Sequence, residues 1–339
     1  MLDRRVLYFS GKETVALHDE PLLPPARGEV SVRSRLSAIS AGTELLFYRG
    51  RVAEGVAADT SLDVLTQPVQ YPLSYGYAVV GVVEAAGEAV PREWIGRRVF
   101  AFAPHADRFN GPIEALLPIP PSVSDEDALF LPNMETAIGL VHDGAPLLGE
   151  RTVVTGLGVV GLLVVGLLAT SRTVRVTGVD HLALRRRWAL ELGADHALDP
   201  GDPALTVAAG ENAPAGGADL CIEVSGNPAA LDLAIALAGY TGRIVVGSWY
   251  GEREQVLRLG ARFHRFKQTL LSSQVSHIAP GLSGRWSKMR RFELAWEAIE
   301  QLRPARLITH RFDIASAGDA FALLAGRDPE ALQVVFTYP

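Results

Sequence analysis

The sequence predicts an α/β protein in two parts: a parallel sheet with helices on both faces, and a β-rich part. Three observations predict it. From Arg151 onward, short β-branched runs alternate with apolar stretches of helix length. One turn between them carries glycines at G-x-G-x-x-G spacing. The N-terminal third instead holds short β-branched runs split by Gly and Pro clusters.

In chain order, the β-rich part shows runs at Glu29–Arg35, Tyr77–Ala86 and Arg97–Ala103. The stretch AVVGVVEAAG is apolar at nearly every position, which predicts a strand buried on both faces. Ser124 with Asp127 three residues on makes a capping-box start for a helix through SDEDALFLPNMETAIGLVHDG. Pro132 should break or kink it, and Gly144 should end it. The alternation follows: strand Arg151–Thr155, helix Val159–Thr170, strand Thr173–Val179, helix Leu182–Leu192, strand Ala218–Val224, helix Pro228–Ala238, strand Gly242–Val246. Helices are expected at Lys288–Leu302 and Ala317–Ala325, then a strand at Ala331–Tyr338. The expected division is 1–132 β-rich, 133–274 dinucleotide-type α/β, and 275–339 returning to the first part.

Composition narrows the function. The chain has 339 residues, 48% apolar and 21% charged, with net charge −6. That balance speaks against nucleic acid or an anionic membrane as partner. The single cysteine, Cys221, excludes an internal disulfide and a multi-cysteine zinc site, and its apolar run predicts a buried structural thiol. No signal-peptide core is present, and the run Val159–Ala169 is too short to cross a bilayer, so a cytoplasmic location is expected.

The sharpest motif is VVTGLGVVG. Gly156, Gly158 and Gly161 follow a strand and open a helix. Gly156 permits the tight turn, Gly158 lets the backbone approach a pyrophosphate, and Gly161 lets helix pack on strand. Val159 and Val160 begin the helix whose free N–H groups would meet the phosphates. Asp180 ends the next strand, 180 − 156 = 24 residues past the first glycine. A carboxylate there accepts from ribose hydroxyls and repels a 2′-phosphate, which favours NAD over NADP. Arg185, Arg186 and Arg187 leave NADP open, although a solvated helix face also explains them. Ser225 and Gly226, and Gly247, Ser248 and Trp249, sit at later strand ends and should line the same cofactor edge. Trp249 and Tyr250 either wall the nicotinamide or substrate, or pack as an aromatic pair.

With GEVSVRSRLSAISAGTELLFYRG, GRRVFAF and LITHRF around this Rossmann segment, the chain resembles the medium-chain dehydrogenase/reductase superfamily. The resemblance covers essentially the whole chain. It implies a GroES-like β-domain completed by the last segment, with the catalytic cleft between domains. Zinc-dependent members read Cys-Gly-Thr-Asp where this chain has Ala41-Gly42-Thr43-Glu44, and a relay His where it has Leu46. Their Gly-His-Glu is Gly76-Tyr77-Ala78 here, and their third ligand falls near Pro132. The four-cysteine lobe is missing: no Cys lies between Val99 and Leu116. Neither a catalytic nor a structural zinc is therefore expected. The N-terminal part looks most like a zinc-free branch that includes the dehydrogenase of the bacteriochlorophyllide hydroxyethyl group.

A metal-free member must polarise the substrate oxygen by hydrogen bonding. The resemblance assigns Thr43 to the hydroxyl beside the reacting oxygen and turns Tyr77 into the same pocket as general acid. Glu135 is either a proton carrier or structural. Glu44 is either a proton carrier or an anchor for its turn, and His105 either faces the cleft from its loop or is a surface residue. Tyr48 and Tyr75 read as packing. The leading function is a zinc-independent, NAD(H)-dependent alcohol dehydrogenase or carbonyl reductase acting on a small molecule. The alternatives are an NADPH-dependent quinone or enone reductase and a non-catalytic dinucleotide-binding protein. An apolar late strand near Leu270–Val275 could pair across a two-fold axis, giving a homodimer or homotetramer.

Overall fold

A computed structural model describes residues 2–53, 55, 57, 67–171, 174–210 and 216–339. The chain forms two compact units, Met1–Pro132 with Arg303–Pro339, and Asn133–Leu302. The second boundary lies at 302/303, not at the expected 274/275. The reason is the helix Lys288–Leu302. It buries Arg291 on Glu135, and a Cβ on Gly166 would meet Leu302 Cδ1 at 2.9 Å. Residues 275–302 thus belong to the α/β unit.

The first unit begins with β1 (Leu2–Gly11), β2 (Thr14–Leu22) and β3 (Glu29–Ala38), then α1 (Glu44–Tyr48). It continues with β4 (Leu73–Ser74), β5 (Val79–Ala86), β6 (Arg98–Ala101), β7 (Arg108–Pro112), β8 (Leu116–Pro118) and α2 (Asp125–Ala128). β1 pairs with β2 and β4 in a three-stranded sheet. β5 is buried on both faces only at its start: Val79 and Val80 are in the core, but Glu84 is exposed. Ser124 caps α2 as expected, accepting from the Asp127 N–H at 3.0 Å. The helical run breaks at Leu129–Phe130, before Pro132. The proline then sits in the first turn of α3 (Leu131–Gly144), where its missing N–H costs nothing.

The second unit is β9 (Arg151–Thr155), α4 (Val159–Thr170), β10 (Arg175–Val179), α5 (Ala183–Glu191), β11 (His196–Leu198), α6 (Ala204–Ala208), β12 (Ala218–Glu223), α7 (Ala229–Leu237), β13 (Ala238–Val246), β14 (Thr269–Ser272) and α8 (Lys288–Leu302). Thr173, expected in the second strand, lies outside the described residues. The six strands run parallel in the order β11-β10-β9-β12-β13-β14, with the reversal between β9 and β12. α4 is apolar on every side, so Leu162, Leu163, Val164 and Val165 are all fully buried. Each such side chain contributes about 1.5–3 kcal/mol. Cys221 is buried in β12, and burial pushes its thiol up to about 12. β11 and α6 were not anticipated; both are short, and periodicity needs length to show.

The chain then returns to the first unit through β15 (Ile308–Asp313), α9 (Ala317–Ala325) and β16 (Gln333–Thr337). β16 pairs antiparallel with β3, joining residues some 300 apart: Val335 faces Ala38 and Thr337 faces Leu36. The result is a sheet ordered β15-β16-β3-β5-β6-β8, with β7 also on β3. Phe9, Phe47, Tyr75, Phe321 and Phe336 fill the core beside it. No helix among the described residues is long and apolar enough to cross a membrane.

Candidate active site

Each unit carries one polar constellation. In the α/β unit, Gly156, Asp180, Ser225 and Gly247 each follow the C-terminal end of a parallel strand, so all share one sheet edge. Gly156 has φ +91°, and a Cβ there would lie 2.3 Å from Ser225 Cα. A Cβ on Gly161 would lie 1.9 Å from the Gly156 carbonyl oxygen. Gly158 caps α4 and has open space where its Cβ would be. Gly156 and Gly161 thus sit against neighbouring backbone, while Gly158 faces open space. No side chain caps α4, which leaves the N–H groups at its first turn, at Val159 and Val160, for a ligand.

Asp180 accepts from the Leu157 N–H and the Leu182 N–H, both at 2.9 Å, so its carboxylate is held rigidly beside the glycine turn. The Arg185 guanidinium lies 3.5 Å from it. Arg186 instead holds the Asp180 and His181 carbonyls. At the next strand end, Ser225 donates to the fully buried Glu223 from its N–H (2.8 Å) and its hydroxyl. The Tyr250 hydroxyl takes the other oxygen of Glu223, and burial first, then Glu223, pushes its ionisation up. Ser248 accepts from the Gly226 N–H at 2.8 Å. Glu223 was not anticipated. Trp249 is 46% exposed. The glycine cradle, the uncapped helix and the ribose-side carboxylate fit a nicotinamide dinucleotide.

In the β-rich unit, the Tyr77 hydroxyl donates to Ser40 Oγ and lies 3.5 Å from Thr43 Oγ1. The two sequence-chosen hydroxyls are therefore together, with Ser40 as an unanticipated third. Beneath them runs a buried chain. The Ser40 N–H donates to Glu44 Oε1 at 2.7 Å, and Glu44 Oε2 meets His105 Nε2 at 2.9 Å. His105 Nδ1 meets Ser37 Oγ at 2.7 Å, and Ser37 Oγ meets the Tyr338 hydroxyl at 2.7 Å. His105 is therefore not a surface residue: it, Glu44 and Ser37 are wholly buried. Loop position alone cannot reveal burial when a distant strand covers the loop. Ser31, Ser34 and Ser37, all buried on β3, were a readable sign that this strand faces polar groups.

Glu135 stands elsewhere. It is 3% exposed, and its Oε1 accepts from Arg291 Nε (3.1 Å) and the terminal nitrogen (2.7 Å). Arg291 also holds the Val275 and His277 carbonyls. Burial raises the Glu135 carboxyl, and Arg291 partly offsets the rise. The ion pair with Arg291 accounts for the burial of Glu135. Tyr48 and Tyr75 are buried core residues.

The chain's residues do not fit a zinc ion held at the family's positions. Ala41 offers no donor, and the Tyr77 hydroxyl is already engaged. Among the described residues no three His, Cys, Asp or Glu side chains converge.

A 3-2-1-4-5-6 parallel sheet with this turn is a dinucleotide-binding arrangement. Residues 159–293 match the zinc-binding dehydrogenase model, ADH_zinc_N. The chain is similar to the zinc-type alcohol dehydrogenase-like protein YphC of Escherichia coli K12, at 26% identity over 98% of each chain. It is also 26% identical to D-guloside 3-dehydrogenase of the same strain, over 80% of this chain and 81% of the other. The solved alcohol dehydrogenase RspB of E. coli CFT073, complexed with NADH, shares the fold at TM-score 0.78 and 22% identity, over 99% of each chain. The chain is an oxidoreductase, similar over nearly its whole length to zinc-type alcohol dehydrogenase-like proteins.

Proposed function

We propose that this protein is a zinc-independent, NAD(H)-dependent dehydrogenase of secondary alcohols, or the corresponding carbonyl reductase, within the family's zinc-free branch. The observation that carries the reading is the hydroxyl cluster Tyr77–Ser40–Thr43. Oxidation removes a hydride from the carbinol carbon and a proton from its hydroxyl. A bound nicotinamide dinucleotide supplies the hydride acceptor. Tyr77 and Thr43 orient the substrate oxygen, and its proton leaves by relay through the Tyr77 and Ser40 hydroxyls to solvent water. In reduction the relay reverses: Ser40 donates to Tyr77, and Tyr77 and Thr43 donate to the carbonyl oxygen. The name of the D-guloside relative supports a secondary alcohol within a polyhydroxylated substrate.

NAD preference rests on Asp180, whose carboxylate stands beside the turn. One observation favours NADPH as a second reading: Arg185 lies 3.5 Å from that carboxylate and could answer a 2′-phosphate. That outcome would raise the quinone or enone reductase reading. The exposed edge strand β14, with Leu270 and Leu271 each about 40% exposed, supports pairing into a homodimer or homotetramer. A cytoplasmic location is part of the proposal.

The test is a fluorescence titration of metal-analysed protein with NADH and NADPH, followed by turnover of secondary alcohols with NAD. Tight NADH binding and turnover on zinc-free protein are expected. Turnover that appears only with added zinc would overturn the reading.

A further inference from the structure

Glu44 and His105 present a physical problem. A carboxylate and an imidazole, both 0% exposed, lie in the core of a β-rich unit, where desolvation works against them. Apolar residues of similar size would hold such a core at least as well. Yet every polar atom of the pair has a partner: Ser40 N–H and His105 on Glu44, Glu44 and Ser37 on His105, with Tyr338 beyond Ser37. A fully satisfied buried network fixes geometry, because each member has one low-energy position.

What the pair fixes is specific. Ser40 faces two ways: its N–H is held by Glu44, and its Oγ holds the Tyr77 hydroxyl. The residue before Tyr77 is Gly76, at φ +132°, and a Cβ there would fall 2.8 Å from His105 Cδ2 and 2.9 Å from Nε2. The imidazole is therefore packed against the backbone that delivers Tyr77. Both backbones that carry the hydroxyl pair are pinned by the same two side chains, one by hydrogen bond and one by contact. The outer end of the network reaches Tyr338, just past β16, so the returning C-terminal strand sets where the imidazole stands.

We propose that Glu44 and His105 are positioning residues that hold the Tyr77–Ser40 hydroxyl pair in its reactive geometry, with Ser37 and Tyr338 fixing the orientation of the imidazole. The inference rests on the dehydrogenase reading for its kinetic consequence, but its geometric claim stands apart from turnover.

The experiment compares the full-length wild type with Glu44→Gln, Glu44→Asp and Ser37→Ala. In a wild type that turns over secondary alcohols, Glu44→Gln is expected to lower kcat about 10- to 100-fold. KM and the NADH Kd should stay within about twofold, because neither the cofactor edge nor substrate binding is touched. Glu44→Asp keeps the carboxyl group and should recover part of kcat. Ser37→Ala, one hydrogen bond further out, should lower kcat several-fold and serves if Glu44→Gln does not fold. A folded Glu44→Gln or Ser37→Ala with wild-type kcat, altered only in Tm, overturns the proposal. If the wild type itself shows no turnover, the dehydrogenase reading fails. The positioning claim is then decided by crystal structures of the wild type and of Glu44→Ala, or of Ser37→Ala should that variant not fold. A Tyr77 hydroxyl displaced from Ser40 supports the claim, and an unmoved one overturns it.

Discussion

Glu135 and Glu44 are both buried glutamates, one in each unit, and they have opposite surroundings. Glu135 faces an arginine that also gathers two backbone carbonyls. Glu44 faces a histidine and a backbone N–H in a chain that reaches two hydroxyls. The first pair ties α8 and the segment at 275–277 to α3. The second stands one residue away from a cluster that can exchange protons. Burial of an acid therefore says little about its task; the chemistry of its partners decides.

Four experiments would break or sharpen this contrast. Arg291→Met leaves Glu135 buried without its cation and should cost about 3–5 kcal/mol of stability, read by urea denaturation. The kcat of the folded fraction should stay within about twofold; a large fall in kcat would erase the distinction between the pairs. Tyr77→Phe should do the reverse, lowering kcat about 100-fold with unchanged urea midpoint and NADH affinity. Equal activity of Tyr77→Phe and wild type would remove the hydroxyl cluster from the chemistry. Asp180→Ala tests a third acid, half-buried at the cofactor edge. NADH affinity should fall about tenfold while NADPH affinity holds or rises, measured by fluorescence titration.

The smallest effect concerns His142, whose ring lies tilted against Trp286 with ring centroids 4.3 Å apart. Burial first, then the positive Arg291, lowers its pKa below 6.5. The unfolded chain therefore binds a proton more readily than the folded one. Its contribution to stability is fully present above about pH 6.5 and is lost as pH falls toward the depressed folded value. His142→Gln should flatten that part of the stability–pH profile in urea titrations between about pH 5 and 7. An unchanged slope would show that the ring does not titrate differently in the two states.

Local patterns carried much of this protein. Three glycines at fixed spacing announced a turn whose close contacts, with the Gly156 carbonyl and Ser225, only glycine tolerates. Helices at Val159–Thr170, Lys288–Leu302 and Ala317–Ala325 have the bounds their apolar runs and end residues imply. Thr43 and Tyr77 were legible as a hydroxyl pair through the resemblance of their two short motifs. These features depend on neighbours a few residues apart, where steric and hydrogen-bonding rules act directly.

Partners distant in the chain were decided only by tertiary structure. Glu135 meets Arg291 156 residues away, and Ser37 meets Tyr338 301 residues away. Nothing in either local stretch states those meetings. His105 reads as an ordinary loop histidine until β16, β3 and the loop of Gly76 close around it. Sequence by itself determined the turns, the helices and the two-part plan, because those are set by backbone geometry and periodicity. Only the folded chain decided which buried acid supports the frame and which underlies the site, because a buried charge takes its role from the groups that satisfy it.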